Sequence, residues 1–355
     1  MTYTLAPKVK ALTPYDPSQG TYRIRLDANE SFLLPPQAER EELAREAAAV
    51  ALNRYPDPLA SRLCGAFAAR YGVDPAMVTA GNGSDELISV ILSTFLQKGE
   101  RVLTVSPDFS MYAFYTAITE TPCYTLAKGE DLRIDVQQVI DTIRRESIRL
   151  FIFSNPCNPT SVGLERTGVR RILTETEALV VLDEAYMDFW DQSMLGEVAD
   201  YDNLIILRTC SKAVGLAALR VGFAVANPTL TGILRAAKSP YNVNAVTQAM
   251  AARILENPVY HEVYRDLLLQ SRDMLLAGLR ELEGAGLLRV AESCTNFAYV
   301  QVEGARKVYA ALADRGILIR CFGEDHLRIT AGTQAENEEV LAALGFLLRH
   351  PDAMD

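Results

Sequence analysis

Short, nearly continuous apolar runs recur through the middle of the chain, each set off by a segment of helical periodicity, and this alternation restricts the fold more than any other feature. The runs lie at 101–106, 150–153, 179–182, 204–207 and 221–226, as in Leu150-Phe151-Ile152-Phe153 and Leu204-Ile205-Ile206-Leu207. Before and between them, 85–97, 110–118, 136–145 and 166–175 carry apolar residues every three to four positions, the spacing of one helix face. A strand apolar on both faces is stable only where both faces are covered, and helices between strands supply the cover. The pattern predicts an α/β fold built on a mainly parallel sheet sandwiched by helices.

The ends of the chain read differently. Residues 1–38 are rich in proline and turn formers and are expected to form an arm. A helical pattern at 39–51 is stopped by Tyr55-Pro56-Asp57-Pro58. A long amphipathic stretch at 259–283 suits a connection, and beyond it short strands (296–302, 317–319, 327–330) mix with helices (305–315, 335–348). With 355 residues, two domains are expected: a large α/β domain over 39–265 and a smaller α+β domain over 266–355.

Several classes of function are disfavoured. A net charge of −10 without any Lys/Arg-rich run argues against nucleic acid as a partner. No apolar run approaches the roughly 18 residues of a membrane span, and Met1 to Pro7 lacks the apolar core of a signal peptide. Six scattered cysteines make no C-x-x-C pair and three histidines make no metal-ligand spacing. A reduced, cytoplasmic, metal-free protein is expected.

In open α/β sheets ligands bind beyond the carboxyl ends of the strands. Those ends read Ser154-Asn155-Pro156-Cys157-Asn158-Pro159-Thr160, then Asp183-Glu184-Ala185-Tyr186, then Arg208-Thr209-Cys210-Ser211-Lys212, with Arg220 shortly after. A lysine near a carboxylate commonly forms an ion pair. It can instead serve as a Schiff-base nucleophile if burial and a cationic neighbour, Arg208 or Arg220, lower its pKa. Asp183 could then keep a pyridine nitrogen protonated, with Asn158 and Tyr186 bonding a ring hydroxyl. Ala80-Gly81-Asn82-Gly83-Ser84-Asp85-Glu86 opens a helix and offers N–H groups to an anion, which Ser211 and Arg220 would help to hold. Glu86 stands where a dinucleotide fingerprint has its third glycine, and no G-K-[ST] is present. Phe109 could stack on a flat ring or could simply be a core aromatic.

Taken together, Asn155 to Thr160, Asp183 to Tyr186, and Arg208 to Ala213 with Gly215 to Arg220 resemble the fold-type-I aminotransferases that use pyridoxal 5′-phosphate (PLP). The resemblance covers nearly the whole chain and is greatest to members acting on L-histidinol phosphate. It implies a seven-stranded-type sheet in the large domain and a homodimer with shared active sites. It makes Lys212, Asp183 and Tyr186 the catalytic set, with Lys212 carrying the cofactor and shuttling a proton. Gly83, Ser84, Asp85, Phe109, Asn158, Ser211 and Arg220 become cofactor contacts, and Tyr55 is expected to reach the partner's cofactor phosphate. Tyr15, Asn29, Arg320 and Arg328 are the expected substrate contacts, Arg328 for a carboxylate and Arg320 for a phosphate. The implied reaction moves an amino group from a small-molecule donor, L-histidinol phosphate, to the oxo acid 2-oxoglutarate. Alternatives are an aromatic or broad-range aminotransferase, a threonine-phosphate decarboxylase and a non-catalytic PLP-binding regulator.

Overall fold

The structure, a computed structural model, describes residues 3–10, 12 and 20–354. Among these, the strands in chain order begin with β1 (Ile24–Arg25), β2 (Val78–Gly81), β3 (Val102–Ser106) and β4 (Cys123–Ala127). They continue with β5 (Leu150–Ser154), β6 (Leu179–Asp183), β7 (Leu204–Thr209) and β8 (Gly222–Ala226). After a long helix come β9 (Leu287–Val290), β10 (Phe297–Val302), β11 (Ile317–Leu318), β12 (Arg320–Phe322) and β13 (His326–Thr330).

Seven strands join in the order β2-β8-β7-β6-β5-β3-β4. From β7 to β4 they run parallel, while β8 is antiparallel to both β7 and β2. Alternation along each strand sorts side chains to two faces. Phe151, Phe153, Val180, Leu182 and Ile206 point to one face, where Val139, Ile140 and Ile143 of helix Val136–Arg145 and Val169 and Ile172 of helix Arg166–Glu175 cover them. Leu150, Ile152, Val181, Ile205 and Leu207 point to the other, against Leu87, Ile88, Ile91 and Leu92 of helix Ser84–Phe95. Each such buried side chain contributes about 1.5–3 kcal/mol, so the double cover explains the apolar runs.

A second sheet, β12-β13-β10-β9, is antiparallel, and β1 pairs in parallel with β11. Ile24 and Leu26 from the arm share one hydrophobic cluster with Val300, Leu312 and Ile329. The 23-residue helix Pro258–Arg280 contributes Tyr260 to the large cluster and Leu275, Leu276 and Leu279 to this smaller one. Among the described residues no helix is long and apolar enough to cross a membrane, and no cluster of three or more His, Cys, Asp or Glu side chains could hold a metal ion.

The parallel strands β3, β5, β6 and β7 end on one edge of the large sheet. Their last residues, Ser106, Ser154, Asp183 and Thr209, lead into the loops that build the site.

Candidate active site

One cavity opens at that edge, and its wall collects side chains from seven segments of the chain. Asp183 lies on its floor. It is in register with Ser154 on the next strand and is 4% exposed. Its Oδ2 accepts a 2.9 Å hydrogen bond from the Tyr112 hydroxyl, and its Oδ1 accepts one of 3.1 Å from the Ala185 N–H. Burial pushes its carboxyl up to about 7 against these two bonds, with Asp108 and Asp85 adding to the rise.

Lys212 enters from the loop after β7. Its Nζ donates to the Ala28 carbonyl at 2.8 Å and lies 5.7 Å from the centre of the Tyr186 ring. The Tyr186 hydroxyl accepts a 2.8 Å bond from Asn29 Nδ2. Asn29 adopts φ 54° and is tied to Thr330 by its own N–H at 3.0 Å, which brings the arm and β13 to the same rim.

Ser84 and Asp85 open helix Ser84–Phe95 directly after Gly83, whose φ is 82°. A Cβ at Gly83 would lie 2.8 Å from Arg220 Nη2, and one at Gly222 would lie 2.3 Å from the Ser84 nitrogen. Only glycine at both positions lets the helix start, β8 and the Arg220 guanidinium meet. Arg220 is 3.6 Å from Asp85, and Ser211 joins them on the cavity wall. A helix N-terminus beside a guanidinium is suited to a phosphate.

The opposite wall comes from the small sheet. Arg320 and Arg328 are directly paired across β12 and β13, and both line the cavity. Arg328 donates to Asn158 Oδ1 and to the Asp27 carbonyl, and its guanidinium sits 5.4 Å and 5.5 Å from the ring centres of Phe297 and Phe322. Phe109 completes the wall, packed edge-on against Tyr112 at 5.6 Å.

Two expected positions stand apart, and a third is not among the described residues. Tyr55 is 82% exposed, stacked on Tyr241 at 4.6 Å and absent from the cavity wall. Tyr15 falls outside the described residues. Arg208, expected to act on Lys212, instead turns to the far face of β7. There it bonds Glu184 at 3.1 Å and Asp188, and lies 4.7 Å over the Tyr71 ring.

The sequence reading passed over Asp108 and Ser154. Asp108 is half-buried, lines the cavity, and accepts from the Phe109 N–H at 2.7 Å and from both the hydroxyl and N–H of Ser154. Ser154 Oγ in turn accepts the Asn158 N–H at 3.1 Å. The signal was their position as polar residues at or just beyond the ends of two adjacent parallel strands.

PLP presents a phosphate, an aldehyde and a ring nitrogen that works best as a cation. The helix start with Arg220, the Lys212 amine and the buried Asp183 carboxylate match these in turn. Fold and site together define a PLP-dependent transferase of fold type I. The chain belongs to the aminotransferase class I and II family, whose model matches residues 22–344. It is 38% identical over 337 residues to a histidinol-phosphate aminotransferase of Clostridium novyi, covering 94% of each chain. It is 35% identical to one from Thermoanaerobacter pseudethanolicus, covering 96% of this chain and 97% of the relative. The crystal structure of a histidinol-phosphate aminotransferase from Sinorhizobium meliloti, in complex with pyridoxal-5′-phosphate, superposes with a TM-score of 0.87 at 25% identity, covering 97% of each chain.

Proposed function

We propose that the protein transfers the amino group of L-histidinol phosphate to 2-oxoglutarate, as a cytoplasmic homodimer whose active sites each take a residue from the partner. The observation that carries this reading is the Arg320–Arg328 pair facing Lys212 and Asp183 across one cavity. Like charges directly opposite on neighbouring strands repel unless an anion lies between them. Two guanidiniums there suit, in turn, a phosphate monoester and a dicarboxylate, the anionic groups of the two substrates.

In this reading Ser84, Asp85, Ser211 and Arg220 hold the cofactor phosphate, with Gly83 shaping the turn. Asp183 holds the ring nitrogen, Asn158 and Tyr186 the ring oxygen, and Phe109 stacks on the ring. PLP, when bound, supplies an electron sink conjugated to the substrate's amino carbon. Lys212 Nζ would hold the cofactor's aldehyde carbon and, when free, would take and return a proton at the substrate's amino carbon. Asn29 orients the Tyr186 hydroxyl that Lys212 passes on its way. Arg328 and Arg320 fix the substrate's anionic groups so that the amino carbon stays within reach of Lys212, the contribution of orientation. Tyr55, exposed beside Tyr241, reaches the cavity of the partner subunit. Residues 39–265 act as the cofactor-binding domain, and 266–355 with the arm act as the substrate-side domain.

The test is a coupled assay with 2-oxoglutarate in which L-histidinol phosphate, phenylalanine and O-phosphothreonine are compared by kcat/KM. A preference of tenfold or more for histidinol phosphate, about 1.4 kcal/mol of transition-state discrimination, is expected. A preference for phenylalanine would transfer the assignment to a broad-range aminotransferase. Release of CO₂ from phosphothreonine without any oxo acid would transfer it to a decarboxylase. Replacing Lys212 by Ala should lower turnover at least 10²- to 10⁴-fold, the usual contribution of a positioned acid–base group.

A further inference from the structure

Behind the cavity wall lies a cluster that this chemistry leaves unused. The Lys128 Nζ is 2.8 Å from the Cys157 Sγ. That is the separation of an N–H···O bond, about 2.7–3.2 Å, although sulfur is a larger atom than oxygen. Both backbones are pinned. The Lys128 N–H donates to the Ser106 carbonyl at 2.8 Å, the Cys157 N–H to Val162 at 3.0 Å, and the Ser161 N–H back to Cys157 at 2.8 Å. The sulfur is enclosed, with Cys157 1% exposed and its Sγ 3.5 Å from the Pro107 carbonyl. Asp108 adds its carboxylate to the field at Lys128. Burial raises the Cys157 thiol pKa, while the Lys128 ammonium opposes the rise. The sulfurs of Cys64, Cys123 and Cys321 instead reach the backbone carbonyls of Leu59, Tyr124 and Gly323.

We propose that Lys128 and Cys157 form a reversible, peroxide-driven crosslink in which a single oxygen atom bridges the lysine Nζ and the cysteine Sγ. Hydrogen peroxide oxidises the sulfur to a sulfenic acid and releases one water. A second peroxide oxidises the amine to a hydroxylamine, releasing another water. The two products condense with loss of a third, forming the N–O–S bridge. Over the sequence, the sulfur and the nitrogen each lose two electrons and two peroxides are reduced. One amine, one thiol and two peroxides thus yield the bridge and three waters. Two equivalents of a dithiol reverse it, returning amine, thiol and water. The bridge ties the end of β4 to the loop carrying Asn158 and removes the Lys128 charge from Asp108. It does not depend on which substrate the enzyme prefers.

The test is mass spectrometry of the full-length protein after hydrogen peroxide, with thiols alkylated under denaturing conditions. The expected species is heavier by one oxygen less two hydrogens. On digestion it yields a joined peptide containing Lys128 and Cys157, and dithiothreitol reverts it. Lys128→Arg and Cys157→Ser should each lack that species, while the wild-type measurement stands whether or not either variant folds. Peroxide-treated protein in which Cys157 stays unmodified, or gains oxygen while the Lys128 peptide remains separate, overturns the proposal. So does a Lys128–Cys157 link without the added oxygen.

Discussion

Asp183 offers a sharp test of the physics of the site, because its burial has a sign and a size. The carboxyl is raised from an ordinary 3.8 to about 7, chiefly by burial. The folded chain therefore binds this proton more tightly than the unfolded chain does. The resulting stability is full below pH 3.8 and is lost as pH rises through about 7. Between pH 5 and pH 8 the loss amounts to roughly 2–3 kcal/mol, at 1.36 kcal/mol per pKa unit. The perturbation is Asp183→Asn, which keeps the shape and removes the titration. Urea unfolding of the cofactor-free wild type and variant at both pH values measures it, since other titrating groups cancel in the comparison. Wild type should lose roughly 2–3 kcal/mol more than the variant on going from pH 5 to pH 8. In the cofactor-loaded protein the difference should shrink, because a ring cation beside Asp183 keeps the carboxylate charged in the fold. Parallel pH dependences for the two apo-proteins would refute the reasoning.

Three further outcomes are expected. Arg208→Met should destabilise the protein by about 3–5 kcal/mol in chemical denaturation, because it strands the buried Glu184 and Asp188 carboxylates without their cation. Arg328→Lys should raise KM at least tenfold for both substrates, since lysine cannot form two parallel bonds to one anion; an unchanged KM would remove Arg328 from the substrate contacts. Mixing inactive Lys212→Ala subunits with inactive Tyr55→Ala subunits should regain activity, because one site of each mixed dimer then has both residues intact. No recovery, with subunit exchange verified, would count against shared sites.

Much of the architecture was legible in the sequence, and the reasons can be named. Helix Val136–Arg145 starts where Asp135 accepts the Gln138 N–H, and four apolar residues at helical spacing carry it on. Strands β5 to β7 announce themselves because both faces are buried. Strand β4 escaped the reading because it lies at the sheet edge, where Cys123 to Ala127 are only partly buried and polar residues intrude. Strand β2 is short and contains Thr79, so no apolar run marks it. Within the site, Asp183 and Lys212 were visible from strand ends alone. The misreading of Arg208 came from ignoring parity: Thr209 faces the cavity, so its neighbour Arg208 must face away. Asp108 was obscure because its importance lies in partners distant in sequence, above all Ser154.

The helix Pro258–Arg280 has a mechanical consequence. Its 23 residues extend about 34 Å at 1.5 Å per residue. Its first turn is seated in the large cluster and its last turns in the small one. A tilt of about 5° at the seated end would swing the far end by about 3 Å over that length. The spacing between Lys212 and the two arginines opposite is therefore governed by the stiffness of a strut that touches neither. A cavity-widening substitution is best sought where Tyr260 anchors this helix, well away from the reacting groups.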